Sequence, residues 1–186
     1  IVNVSNPGNP YQAGYYQTPG TAKGVVVSGN LAYVADHAMG LRIINVSNPA
    51  SPYEVGYYST SGDAYDVEVA GNLAYVAEET GLRILNVSNP ASPHQVGYFG
   101  SGGRAYSVAL AGSLAYIANG NSLRVVNVSS PSSPYQVGSW SAPGNAWGVE
   151  AAGNLAYVSC FQAGLHIVSV SNPASPMEVG YYEEGQ

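Results

Sequence analysis

The stretch GDAYDVEVAGNLAYVAEETGLRILNVSNPASPHQVGYFGS, Gly62 to Ser101, decides the fold. Within it AYDVEVA, LAYVA, LRILNV and HQVGYF alternate with a period of two and are rich in Val, Ile, Leu and Tyr, as half-buried strands are. The Gly71-Asn72 step between the first and second of these fits a tight hairpin turn. NPASP, Asn89 to Pro93, separates the third from the fourth and fits a longer turn, in which proline fixes φ and Asn and Ser bond nearby backbone groups. No segment carries a helix-length amphipathic pattern. Four short antiparallel strands are therefore predicted.

Laid on the rest of the chain, the same stretch recurs. GNLAYVA begins at Gly29, Gly71 and Gly153, and GSLAYIA at Gly112, which gives spacings of 42, 41 and 41 residues. NVSNPASP occurs at Asn45 and Asn86, with NVSNPGNP at Asn3, NVSSPSSP at Asn127 and SVSNPASP at Ser169. One small sheet cannot bury both faces until neighbours stack on it, so a four-stranded unit of this length predicts an all-β protein, a β-propeller of antiparallel blades. A single propeller domain then divides into a half-blade at 1–20, holding only a third and a fourth strand, and full blades at 21–62, 63–103, 104–144 and 145–186. A β-solenoid is the main rival, but its strands recur at shorter intervals. Tyr33, Tyr75, Tyr116 and Tyr157, and Val55, Val96, Val137 and Val179 of the repeated Val-Gly pairs, are expected to pack blade against blade.

LAYVADHAMGLRIINVSNPASPYEVGYY, Leu31 to Tyr58, resembles the units of the LVIVD-repeat family of β-propeller proteins, which carry an AYVAD-type strand, a GLxIVDVSDPxxP strand and turn, and a following outer strand. The resemblance extends over essentially the whole chain. It implies prokaryotic secreted or surface-associated proteins, often parts of larger chains, with no shared catalytic residues. An extracellular or cell-surface location is the expectation that follows. Where the family usually has Asp in DVSDP, this chain has Asn45, Asn48, Asn86, Asn89 and Asn127.

Composition narrows the function classes. Only 9% of the 186 residues are charged, against about 25% in a typical soluble domain, and Gly, Ser, Asn and Tyr supply the polarity. Net charge is −6, and no basic cluster could neutralise a row of phosphates, which argues against nucleic acid. No apolar run approaches the roughly 18 residues of a membrane span. The single Cys160 excludes an intrachain disulfide framework. The chain begins at Ile1 rather than Met, from which a processed or excised segment is expected.

In a propeller, the second-to-third and fourth-to-first connections share one face, and there the sequence varies. DHAMG at 36–40, EETG at 78–81, NGNS at 119–122 and CFQAG at 160–164 are equivalent loops. Thr21, Asp63, Arg104 and Asn145 precede the first strands, followed two places later by Lys23, Tyr65, Tyr106 and Trp147. Loops that diverge on a repeated scaffold are the natural place for recognition, although drift at exposed positions leaves the same signature. Asp63, Arg104, Asn145 and Trp147 are expected at the central mouth, with His37, Glu78, Asn119 and Phe161 further out.

Catalysis finds little support, and neither a catalytic set, a metal nor a cofactor is expected. His37, His94 and His166 fall on different parts of the unit and do not converge on a metal. The carboxylates Asp63, Asp66, Glu68, Glu78 and Glu79 all belong to one blade, and without ligands from a second blade a glycosidase pair or a Ca²⁺ site built from them is disfavoured. The repeated Arg42, Arg83 and Arg124 read as structural pairs. Asn3, Asn45, Asn86 and Asn127 open Asn-Val-Ser patterns that are glycosylation acceptors by type, but the preferred reading is that they satisfy backbone groups at the turn. Two classes remain: a binding module holding a protein or glycan surface partner on its variable face, or a structural protein that self-assembles through strand edges and Tyr-rich outer strands. A glycan-active enzyme is a distant third. Self-association or continuation in a longer chain is expected, because the half-blade leaves an edge unpaired.

Overall fold

Four glycines set the hairpins. Gly29, Gly71, Gly112 and Gly153 all have φ of 58–59°, the left-handed value that the first position of a II′ turn requires and that glycine adopts without steric cost. Each joins a first to a second strand. The computed structural model describes residues 1–183, and among them every regular element is a strand. The half-blade is a two-stranded hairpin of β1 (Val2–Asn3) and β2 (Tyr11–Gln12). The first unit is β3 (Gly24–Ser28), β4 (Leu31–Ala35), β5 (Leu41–Asn45) and β6 (Tyr53–Tyr58), paired in that order. The second is β7 (Ala64–Ala70), β8 (Leu73–Glu78), β9 (Gly81–Asn86) and β10 (His94–Gly100).

The third and fourth units share one continuous sheet, built of β11 (Ser107–Ala111), β12 (Leu114–Asn127), β13 (Tyr135–Ala152), β14 (Leu155–Phe161), β15 (Gly164–Ser169) and β16 (Met177–Tyr182). In β12 the first half pairs with β11 and the second with β13, on either side of Gly120 at φ 54°. β13 likewise holds the last strand of the third unit and the first of the fourth. Gly120 pairs with Ala146 across the seam, so the connection stays extended. Four four-stranded blades were expected; the chain keeps their pairing but fuses two of them.

The first strands β3, β7 and β11 and the second half of β13 lie side by side along the inside. Three apolar clusters fill the spaces between successive full units. Tyr33, Leu41 and Ile43 meet Val67, Val76 and Leu85; Tyr75, Leu82 and Ile84 meet Val108, Ile117 and Val126; Tyr116, Leu123 and Val125 meet Val149, Val158 and Val168. Each unit thus has a trailing face that covers the leading face of the next. Among the described residues neither strand pairing nor an apolar cluster joins the last sheet to the first, and the arc is open.

Two packing expectations need correction. Tyr33, Tyr75 and Tyr116 are buried, but Tyr157 is only half-buried, since no further unit among the described residues covers that face. In the Val-Gly pairs the glycine, not the valine, is the core residue. Val55, Val96 and Val137 are half-buried and Val179 is exposed, whereas Gly56, Gly97 and Gly138 are buried. A Cβ on Gly14, Gly56, Gly97 or Gly138 would fall on the carbonyl oxygen of Pro49, Pro90, Pro131 or Pro173 respectively. The repeated Pro turn is therefore a coupling. Its apex closes with Ser51 N–H to Asn48 O, Ser92 to Asn89, Ser133 to Ser130 and Ser175 to Asn172, all at 2.9–3.0 Å, and its proline carbonyl rests on the glycine of the preceding unit.

Candidate functional site

The variable loops meet across the seams between units. His37, at a positive φ of 50°, exchanges backbone hydrogen bonds with Ala64 of the next unit, at 3.1 and 3.0 Å. Ala105 N–H likewise donates to Glu78 O at 3.0 Å. These bonds carry the residue before each first strand up against the preceding unit's loop. His37 Nε2 accordingly sits 3.2 Å from Asp63 Oδ2, and Arg104 Nη2 sits 2.9 Å from Glu79 Oε1. The Glu79 carboxylate, with the Tyr106 hydroxyl second, holds the exposed Arg104 guanidinium above its already high range. Each of these two side-chain pairs spans one seam.

Behind these pairs runs a row of rings. His37 meets Tyr65 edge-on at 5.7 Å, Tyr65 meets Tyr106 at 5.5 Å, Tyr106 stacks on Trp147 at 5.2 Å and 5° between planes, and Trp147 stacks on Phe161 at 5.9 Å. Each such pair contributes about 0.5–1.5 kcal/mol beyond area burial. Burial is the first cause of the raised Tyr65 hydroxyl pKa. Trp147 and Phe161 remain exposed, and Lys23, exposed in the first unit, holds the register position of Tyr65, Tyr106 and Trp147.

Of the expected face residues, His37, Asp63, Arg104, Trp147 and Phe161 gather here, and Asn145 lies exposed beside Phe161, its β13–β14 partner. Glu78 and Asn119 do not: both are buried. They share a register position with Asp36 and Cys160, where the side chain turns inward to hold the connection entering its own unit. Asp36 accepts from Thr18 Oγ1 at 2.7 Å and from Gly20 N–H at 2.8 Å, and Asn119 Nδ2 donates to Ser101 O at 3.1 Å and Gly103 O at 3.3 Å. Glu78 instead takes both Nε and Nη2 of Arg83, at 3.0 and 2.6 Å. Burial pushes the Cys160 thiol up, which opposes a nucleophilic role. The sequence places Tyr65, Tyr106 and Glu79 on the variable face but not among the named candidates, although the two-residue offset that singles out Trp147 applies equally to both tyrosines.

The remaining repeated polar residues are occupied structurally. Arg42 lies 4.7 Å over Tyr57 and 3.5 Å from Glu54; Arg83 lies over Tyr98 and bonds Gln95; Arg124 bonds Gln136 at 2.6 Å; and His166 takes the same place with Glu178 at 2.9 Å. These are cross-strand ties between third and fourth strands. Asn3, Asn45, Asn86 and Asn127 each accept from the N–H and the hydroxyl of the serine two places on, at 2.9–3.0 and 2.6–2.7 Å. On the inner strands, Asp66 accepts from Ser107 Oγ at 2.8 Å and Val108 N–H at 3.1 Å, linking two units. Burial first, then neighbouring Asp66 and Glu150, raises the Glu68 carboxyl. Among the described residues no group of His, Cys, Asp and Glu is placed to hold a metal, and no helix is long and apolar enough to cross a membrane.

Known proteins bear on the fold alone, except for one family. No curated protein matches the chain. The crystal structure of the computationally designed Ika8 protein superposes with a TM-score of 0.70 at 6% identity, covering 89% of this chain and 50% of that one, so the match spans half the length of the designed chain. The computationally designed Ika4 protein gives 0.66 at 5% identity, covering 82% of this chain and 93% of that one. The LVIVD repeat model matches residues 19–60, 61–99, 102–141 and 143–184. Four matches in register with the four full units, on sheets that couple through a repeated turn, settle the affiliation: the chain belongs to the LVIVD repeat family.

Proposed function

We propose that this chain is a non-catalytic binding scaffold, extracellular or at the cell surface, that takes a protein or glycan partner on the rim formed by its second-to-third and fourth-to-first loops. The observation that carries this reading is the row of rings from His37 to Phe161, which ends in two exposed aromatics, with the His37–Asp63 and Arg104–Glu79 pairs along its other members. Trp147 lies between Tyr106 and Phe161, so the row offers a partner ring edges and polar ends rather than open ring faces. Such rigid, amphipathic side chains dominate interface energetics at little entropic cost. The opposite face carries the proline turns, whose carbonyls meet glycines of the preceding units.

The test is a labelled sample of the chain on arrays of oligosaccharides and tiled peptides, with Trp147→Ala, Phe161→Ala and, on the opposite face, Asn30→Asp. A restricted binding set lost in the first two variants and kept in the third supports the rim. Retention in Trp147→Ala and Phe161→Ala, with loss in Asn30→Asp, moves the site to the turn face. The self-assembling alternative is favoured by a different observation, at the two ends of the arc.

A further inference from the structure

The chain shows four times what seats on the glycine of a fourth strand. It is the proline carbonyl of an Asn-Pro or Ser-Pro turn, with the nearest backbone carbon of each turn only 2.9–3.1 Å from the position of the glycine Cβ. The fifth such glycine, Gly180, has no atom of the described residues within 4 Å of that position. Around it the trailing face of the fourth unit is bare. Leu165 is 39% exposed where Leu41, Leu82 and Leu123 are at 0%, and Val179 and Tyr182 are exposed beside half-buried Tyr157 and Ile167.

At the other end of the arc lies the matching half. The half-blade turn Asn6–Asn9 closes with Asn9 N–H to Asn6 O at 3.0 Å, as the other turns do, yet it is exposed throughout and rests on no glycine of the described residues. By register Val2 is equivalent to Leu85, Val126 and Val168, and Val4 to Val87, Val128 and Val170. Those six are at most 4% exposed inside the arc, whereas Val2 is 57% and Val4 65% exposed. The first unit's leading face is partly roofed by the half-blade over a cleft of about 480 Å³ lined by Ile1, Tyr16, Val25 and Val34, so the free leading face is that of the half-blade itself.

We propose that the Gly180 face of the fourth unit is an interaction surface for a second copy of this chain, which docks by its Val2–Val4 edge with the Pro7 turn seated on Gly180. The occupant is argued from the chain's own seams: every trailing face that is covered is covered by a leading face and a proline turn of the same kind. The contact is heterologous, head to tail, so copies add in one direction and form a ring or a filament. It is independent of the rim, which lies on the loop face.

The test uses two variants that leave the internal seams intact. Gly180→Val adds a β-branched side chain to an extended strand position with open space around it, and Val4→Lys places a charge on an exposed residue. In sedimentation equilibrium over a wide concentration range, the unaltered chain gives masses that rise with concentration. Each variant alone stays at the monomer mass. Mixed, they give a 1:1 dimer and nothing larger, because the Gly180→Val chain keeps its Val2–Val4 edge and the Val4→Lys chain keeps its Gly180 face. The proposal is overturned by an unaltered chain that stays monomeric, by undiminished association of Gly180→Val, or by variants that remain monomeric when mixed while the unaltered chain associates.

Discussion

Gly97→Ala isolates the coupling that the repeated turn performs. Gly97 has no positive φ, so alanine is not strained by its own backbone. The difficulty lies in space. The new Cβ would fall on the Pro131 carbonyl oxygen, with the carbonyl carbon at 2.9 Å, against an ordinary carbon contact of about 3.5–4.0 Å. Both groups are backbone in hydrogen-bonded structure, so relief requires β10 and the 130–133 turn to separate, which opens the cluster of Tyr75, Leu82, Ile117 and Val126. Overpacking of this kind costs about 1–3 kcal/mol and occasionally more. The reduced entropy of the unfolded chain returns about 0.4–1 kcal/mol. A net loss of about 1–2 kcal/mol, or a melting temperature lower by roughly 2–8 °C, is expected for a chain of this size. Gly180→Ala is the control, since the same substitution there meets open space and retains only the entropic gain. Urea midpoints read at low protein concentration measure both. Equal stability of Gly97→Ala and the unaltered chain, or an equal loss in Gly180→Ala, would refute the coupling.

Three further outcomes follow from buried and half-buried groups. Glu78→Ala leaves the Arg83 guanidinium half-paired in a buried site and should cost about 3–5 kcal/mol in urea unfolding, with part of the loss recovered in the double variant Glu78→Ala/Arg83→Met. Glu68 has a raised folded-state carboxyl pKa, so its stabilising contribution is present when both states are protonated, below the unfolded carboxylate range, and is lost as pH rises through the folded value; Glu68→Gln should therefore stabilise at pH 7 and have no effect near about pH 3 in pH-dependent urea titrations. Cys160 should alkylate slowly in the folded chain and rapidly in urea, since burial both shields and raises its thiol; equal rates in the two conditions would contradict its placement.

The architecture was legible because it is local and repeated. The Gly-Asn hairpins, the alternation in AYDVEVA and the 41-residue recurrence each constrain a strand or a turn without reference to anything distant. What lay across seams was not legible. That Gly97 rather than Val96 is the core residue depends on the carbonyl of Pro131, in another unit, and no periodicity within HQVGYF announces it. The site shows the same division. Trp147, Asp63 and Arg104 were found by register, but Glu78 and Asn119 were assigned to the open face although they sit one position before His37, Glu79 and Phe161 in the repeat. DHAMG and CFQAG are one residue longer than EETG and NGNS, which blurs that register, and the inward turn of the position is set by tertiary hydrogen bonds to Gly20 and Ser101.

The seam pairs change what counts as the exchangeable module. His37 pairs with Asp63 and Glu79 with Arg104, so a cassette cut at the usual repeat boundary separates each loop residue from its counterpart. A cassette cut instead at the glycine hairpins, from Asn30 to Gly71 or from Asn72 to Gly112, carries a whole seam pair and its ring within one segment. The contacts it must make with any neighbour are then the constant ones, the proline carbonyl on glycine and the apolar layers between sheets. A chain organised this way separates its variable text from its standard fittings: new rim surfaces can be composed by shuffling such permuted cassettes, with each joint falling in a two-residue turn that all units share.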